Sequence, residues 1–181
     1  MLSNSALPAI ERIQAMRVLL SDARIVTIRP IRPSDFAALR AFFAALSRAT
    51  LRLRFHSPIN ELPERLLHDL TTVNPHAHVA FVAELSNSDV EQPAKLVAEA
   101  RFIRGADAKS AEFALAVADS WRRVGLGTML TKLLAQRARL SGVRRLCGDI
   151  LEDNKAMRGL ARSLGARLSR GMGCVRLSLE V

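Results

Sequence analysis

Arg122-Arg123-Val124-Gly125-Leu126-Gly127-Thr128 puts two guanidinium groups and two glycines within seven residues, a composition suited to holding phosphate. An apolar stretch of strand character, Glu112 to Ala118, precedes it. After it, Leu126, Met129, Leu130, Leu133 and Leu134 repeat at helical spacing. A strand that turns through glycines into a helix leaves several backbone N–H groups unpaired and aimed at one spot. The helix dipole adds positive potential there. Gly125 and Gly127 let a diphosphate approach backbone that a side chain would shield, and Arg122 and Arg123 supply charge beside it. Two better-known phosphate loops do not fit. No Lys-Ser/Thr follows the glycines, Leu130 stands where a dinucleotide fingerprint needs its third glycine, and Leu140 to Val143 supplies no acid.

Along 111–118 the side chains alternate. Phe113, Leu115 and Val117 share one face, and Glu112, Ala114, Ala116 and Ala118 share the other. The methyl-sized row leaves room for a ligand along the strand, with Glu112 as its one charge. A carboxylate so placed can act as a general base. The same pattern also suits a tight sheet-to-helix contact with Glu112 at an exposed strand end. Arg52, Arg54 and His56 form a basic segment that either engages an acidic surface or is simply solvated. Cys147 and Cys174 lie in apolar stretches without metal-type spacing, so the expectation is two reduced, buried thiols and no metal site.

These residues need elements to position them. Residues 1–23 read as an N-terminal extension with one short helix using Ile10, Ile13 and Val18. The domain proper is expected over 24–181. Arg24–Ile31 reads as a strand, and Phe36, Leu39, Phe42, Phe43 and Leu46 as a helix capped at Ser34 or Asp35. Leu51 to Ser57 reads as a turn and a basic segment, and Asn60 as the cap of a helix carrying Leu62, Leu66, Leu67 and Leu70. Strands are expected at 78–85, 96–103, 111–118, 145–151 and 175–181, with a polar hairpin loop from Ser86 to Pro93. A long helix runs to Leu140, and a shorter one is capped at Asp153 and ended by Gly165. The order β-α-α-β-β-β-α-β-α-β predicts an α/β (α+β) fold: a mixed central sheet of about six to seven strands with helices on both faces.

At 181 residues and 49% apolar content the chain can build one full core. No apolar run approaches the roughly 18 residues of a membrane span. Glu11, Arg12 and Arg17 interrupt any signal-peptide core, so a cytoplasmic protein without membrane association is expected. The net charge of +10 favours anionic partners, but the arginines are spread along the chain and stacking aromatics are few, with no tyrosine and one tryptophan. Nucleic acid is therefore a secondary expectation.

Arg-x-x-Gly-x-Gly between a strand and a helix resembles the acyl-CoA pyrophosphate loop of the GNAT superfamily of N-acetyltransferases, and the element order is similar too. Within the superfamily the chain resembles the Pat-type bacterial protein lysine acetyltransferases. The segments that carry this are Ile28 to Asp35, Leu51 to Pro58, Ala80 to Ala83, Ala111-Glu112-Phe113-Ala114 and Asn154 to Ala161. The resemblance implies acetyl-CoA as co-substrate, held by Arg122, Arg123, Val124, Gly125, Leu126, Gly127 and Thr128. It implies pairing of the pantetheine arm with the backbone near Leu115, Ala116 and Val117, and a further contact from Asn154, which can also cap its helix. Glu112 is implied as general base. A carboxylate is a weak base unless desolvated, so burial in the cleft belongs to that expectation.

Arg52, Arg54 and His56 fall in the family's substrate-facing region. Many members carry a tyrosine acid where Ala161 stands, and this chain has no tyrosine. The implied activity is direct acetyl transfer in a ternary complex to a protein lysine, with an acyl-CoA synthetase as the target type. A small amine or amino acid is the alternative acceptor. A basic nucleic-acid-binding module with a residual acyl-CoA site is the alternative from another class. Pat-type proteins often carry a regulatory domain, for which these residues leave no room. The oligomeric state is left open, a homodimer among the options.

Overall fold

In β3 (His78–Leu85) the run Val79 to Ala83 is buried on both faces, as expected of a central strand covered from two sides. The computed structural model describes residues 14–85, 94–171 and 173–181. The expected loop at Ser86 to Pro93 lies outside the described residues, as do Ile10 and Ile13 of the expected N-terminal helix. The other strands are β1 (Met16–Leu19), β2 (Ile25–Pro30), β4 (Leu96–Arg104), β5 (Ser110–Val117), β6 (Arg145–Leu151), β7 (Arg167–Arg170) and β8 (Cys174–Glu180). They form one 8-stranded sheet in the order β1-β2-β3-β4-β5-β6-β8-β7. Neighbours pair antiparallel except β5 and β6, which run parallel in a short register, Ser110 with Arg145 to Glu112 with Cys147. Beyond Glu112 the two strands separate.

Five α-helices stand among the described residues, and they cover both faces. On one face α4 (Leu126–Leu140) buries Leu126, Leu130, Leu134 and Ala138, a stripe repeating every four residues. It packs with Ala161 of α5 (Lys155–Ser163) against Phe81, Phe102, Phe113, Leu146 and Ile150. On the other face α1 (Phe36–Ala44), α2 (Arg48–Phe55) and α3 (Glu64–Thr71) bury Leu39, Phe43, Leu51 and Leu67 against Ala80, Val82 and Ala116. The parallel β5-α4-β6 unit is the only crossover of its kind among the described strands, and it carries the glycine turn.

Several expectations are corrected. Met16–Leu19 is not part of a helix: it is β1, antiparallel to β2. The segment read as a turn over 51–57 is mostly α2, capped by Ser47, whose side chain accepts from the Thr50 N–H. Asn60 does not cap α3. Pro63 keeps Leu62 out of helical conformation and becomes the cap itself, so the helix begins at Glu64. Asn154, not Asp153, caps α5, accepting from the Met157 N–H at 3.0 Å. The edge strand β7 has no counterpart among the segments read as strands.

Candidate active site

Where β5 and β6 separate, a cleft of about 880 Å³ opens through the sheet. Its existence follows from the local sequence. Gly148 lets β6 lie close to β5, since a Cβ there would stand 3.2 Å from the Phe113 carbonyl oxygen. Past that point no β6 residue pairs with Phe113 to Val117. Ala118 donates its N–H to the Val97 carbonyl at 2.9 Å. Pairing in an antiparallel ladder alternates, so the backbone groups of Leu115 and Val117 point to the opposite edge, into the opening.

At the α4 end, Gly125 takes φ +86 and Arg123 φ +62. No atom lies within 4 Å of where a Gly125 Cβ would stand, so conformation rather than space requires glycine there. At Gly127 a Cβ would sit 3.4 Å from Leu115 and 3.8 Å from Leu160, filling the gap between the helix start and the strand. The first turn of α4 thus offers backbone N–H groups to the cleft, with Arg122, Arg123, Thr128 and Lys155 on its lining. Val124 and Leu126, also expected in this loop, turn their side chains to the core and contribute backbone only.

The loop is braced from two sides. Asp119 accepts from the Ser47 N–H at 3.0 Å and the Thr50 hydroxyl at 2.7 Å, and Arg122 pairs with Asp119 at 3.1 Å. Burial pushes the Asp119 carboxyl up, but the hydrogen bonds from Thr50 and Ser47 and the charge of Arg122 outweigh it and hold it below the usual range. From the opposite side, the Arg24 guanidinium lies over the Trp121 ring at 3.7 Å and donates to the Ser120 carbonyl at 3.1 Å.

The α2 side of the cleft is different. Glu112 and Ala116 share the face toward α2, and Ala116 is buried there. On β6, Leu146 and Ile150 face α4, so Cys147 and Asp149 face α2. Glu112, Asp149 and His56, the C-cap of α2 at φ +57, line this part. Glu112 is exposed at the last pair of the β5–β6 register, so the burial expected for it is not met. The Asp149 carboxylate is held in two bonds of 3.0 Å by Arg176. Those bonds, together with the charge of His56, keep its carboxyl below the usual range.

Arg54 lines the cleft but is neither in a loop nor simply solvated. It pairs at 2.9 Å with Glu99, which is fully buried, and Arg101 takes the other Glu99 oxygen at 2.7 Å. Burial raises the Glu99 carboxyl, and the two guanidinium groups more than reverse that. Arg52 pairs with Asp153 and is not part of the lining. Asn154 lines the cleft as well as capping α5, so both roles expected of it are compatible. Ala161 faces the core, whereas Leu160 and Ser163 reach the cleft. Cys147 and Cys174 are free thiols and half-buried rather than buried. No cluster among the described residues could hold a metal ion, and no helix among them is long and apolar enough to cross a membrane.

Asp149, Glu99 and the Arg24–Trp121 contact were not singled out from the sequence. The first two carried a usable signal, a lone acid within an otherwise apolar strand: Leu-Cys-Gly-Asp-Ile-Leu and Leu-Val-Ala-Glu-Ala.

Comparison with known proteins places the chain in a family. A profile for the acetyltransferase (GNAT) domain matches residues 26–167. The chain belongs to the GNAT acetyltransferase family. An acetyltransferase of Pseudomonas aeruginosa is 34% identical over 146 residues, which cover 81% of this chain and 77% of that one. The acetyltransferase Pat of Mycolicibacterium smegmatis is 32% identical over 156 residues, covering 85% of this chain but only 45% of that longer protein. The crystal structure of the GNAT domain of S. lividans PAT superposes with a TM-score of 0.85 at 26% identity, over 97% of this chain and all of that domain. The GNAT fold is thereby shown, as is membership of a family of acyl-transferring enzymes.

Proposed function

We propose that this GNAT domain transfers an acetyl group from acetyl-CoA to the ε-amine of a lysine in a target protein. The observation that carries the proposal is the cleft's two-sidedness. One mouth, at α4, is lined by backbone N–H groups and cations, and the other, at α2, holds Glu112. The residues present fit the nucleotide thioester. The turn at Gly125 and Gly127 accepts a diphosphate, and the free edge of β5 at Leu115 and Val117 can pair with amide groups along a narrow arm. When bound, acetyl-CoA supplies the acetyl group as an activated thioester. Arg122, Arg123, Val124, Gly125, Leu126, Gly127 and Thr128 hold the phosphates, and Leu115, Ala116, Val117 and Asn154 orient the arm.

A lysine ammonium has a pKa near 10.4, so delivering it neutral at pH 7 costs about 4 to 5 kcal/mol. Glu112, directly or through one water, takes that proton. Its exposure suits a large acceptor, because the docking surface itself supplies the desolvation that makes the carboxylate a stronger base. A backbone N–H at the free edge of β5 stabilises the developing charge on the acetyl oxygen. With no tyrosine in the chain, the departing thiolate takes its proton from water or from the amine. Similarity to PAT and Pat supports a protein acceptor.

The test is acetyl-CoA added with a lysate of the host to purified wild type and to Glu112→Gln, read by mass spectrometry. Acetyl-lysine on a few proteins, lost in Glu112→Gln while acetyl-CoA still binds, is expected. Acetylated small amines alone would move the acceptor assignment to a metabolite. No Glu112-dependent product would remove the proposal.

A further inference from the structure

We infer that Asp149 binds the acceptor's ammonium group and so selects cationic amines, before Glu112 removes the proton. The inference rests on the acetyl-transfer reading of the same cleft and adds a residue to it. Three observations carry it.

The first is charge polarity. Among the described lining residues the acids are Glu112 and Asp149, and both lie on the α2 face, which also carries His56 and Arg54, the latter paired with buried Glu99; Arg122, Arg123 and Lys155 belong to the α4 and α5 side. A polyanion entering from the α4 side leaves the α2 side, which carries both lining acids, for the other reactant.

The second is register. Glu112 pairs with Cys147, and Asp149 is two residues further along β6 on the same face. With strands about 4.8 Å apart and a rise of about 3.3 Å per residue, the two Cα positions lie roughly 8 Å apart before the splay widens the gap. An ammonium between the two side chains can donate to both, since it carries three N–H donors and Asp149 keeps acceptor capacity beyond the bonds from Arg176 and Cys174.

The third is fixation. Arg176 grips both Asp149 oxygens at 3.0 Å and holds the carboxylate ionised and oriented. The two residues stand opposite each other on β6 and β8, and the pair is exposed on both sides, so it contributes little to stability. A carboxylate used only as a surface ion pair has no need to face the cleft from within a strand.

The probes are Nα-blocked lysine amide, whose amine is a cation at pH 7, and hydroxylamine, a nucleophile that is neutral there. Asp149→Asn should raise KM for blocked lysine about tenfold, the usual weight of one hydrogen bond to a charged group. It should leave KM for hydroxylamine and for acetyl-CoA unchanged, and Asp149→Glu should recover part of the loss. An equal rise for both nucleophiles would assign Asp149 to cleft shape and overturn the inference. An unchanged KM for blocked lysine, with transfer still dependent on Glu112, would overturn it while leaving acetyl transfer intact. Absence of transfer from wild type to either probe would overturn both.

Discussion

His78 shows how one residue ties the site's foundations to pH. It sits at the start of β3 with its ring Nε2 3.0 Å from Nη1 of Arg101, which in turn holds Glu99 under the cleft. Burial, with Arg101 adding to it, pushes the His78 imidazole down to about 4 from an ordinary 6.5. The sign follows from proton counting. Between pH 6.5 and 4 the unfolded chain takes up a proton at His78 that the folded chain refuses, so the unfolded state gains and stability falls as pH drops. Glu99 extends the loss further down: its carboxyl is depressed in the fold, so its contribution is present above the ordinary carboxylate range and disappears as pH falls below it. The urea midpoint at pH 5 should therefore lie below that at pH 7, and His78→Gln, which keeps an acceptor for Arg101, should flatten the difference. An identical pH 7-to-5 drop in that variant would show that His78 is not its source.

At the scale of elements, the phosphate turn depends on parts distant in sequence. The β1–β2 hairpin reaches it through Arg24 on Trp121 and on the Ser120 carbonyl. Arg24→Ala removes a cation–π contact worth about 0.5 to 1 kcal/mol, the hydrogen bond to Ser120 and the local ion pair with Asp22. It should raise KM for acetyl-CoA a fewfold, with kcat at saturation nearly unchanged; a lowered Tm with no change in that KM would confine Arg24 to general stability. The elements that were legible are those whose apolar pattern decides the matter locally. β3 and β6 have the expected bounds, 78–85 and 145–151: β3 is a buried run, and β6 buries Leu146 and Ile150 on one face. The chain over α2, Arg-Ala-Thr-Leu-Arg-Leu-Arg-Phe, has no apolar stripe of its own. It is a helix because Ser47 caps it locally and two contacts made across the fold hold it: Asp119 on its first turn and Glu99 on Arg54. β7, Arg-Leu-Ser-Arg, is mostly exposed at a sheet edge and carries no alternation to find. The cleft was legible in the same uneven way. Glycines, arginines and Glu112 announce themselves by type, while the part Asp149 plays depends on which way β6 faces, and that is set by Leu146 and Ile150 beneath it.

For the whole molecule, charge is the property that reaches beyond the cleft. Seventeen acids against 27 lysines and arginines give the net +10, and the α2 side of the cleft carries Arg54 and His56, with Arg176 on Asp149. Two length scales then act on an incoming protein. Within a few ångströms, on the proposed reading, a lysine ammonium meets Glu112 and Asp149. Over the roughly 10 Å that 0.1 M salt leaves unscreened, the surrounding arginines attract an acidic surface. An acceptor lysine set in an acidic patch satisfies both, and its association should be steered by the basic surface. With acetyl-CoA saturating, raising salt from 50 to 500 mM should lower kcat/KM for such a protein by about tenfold or more, with kcat nearly constant, because screening acts on encounter rather than on the proton transfer. Hydroxylamine, neutral and small, should be acetylated at a rate that salt barely alters. If salt slowed both alike, the effect would lie in cofactor binding or in the fold, and the basic surface would have no part in choosing the acceptor.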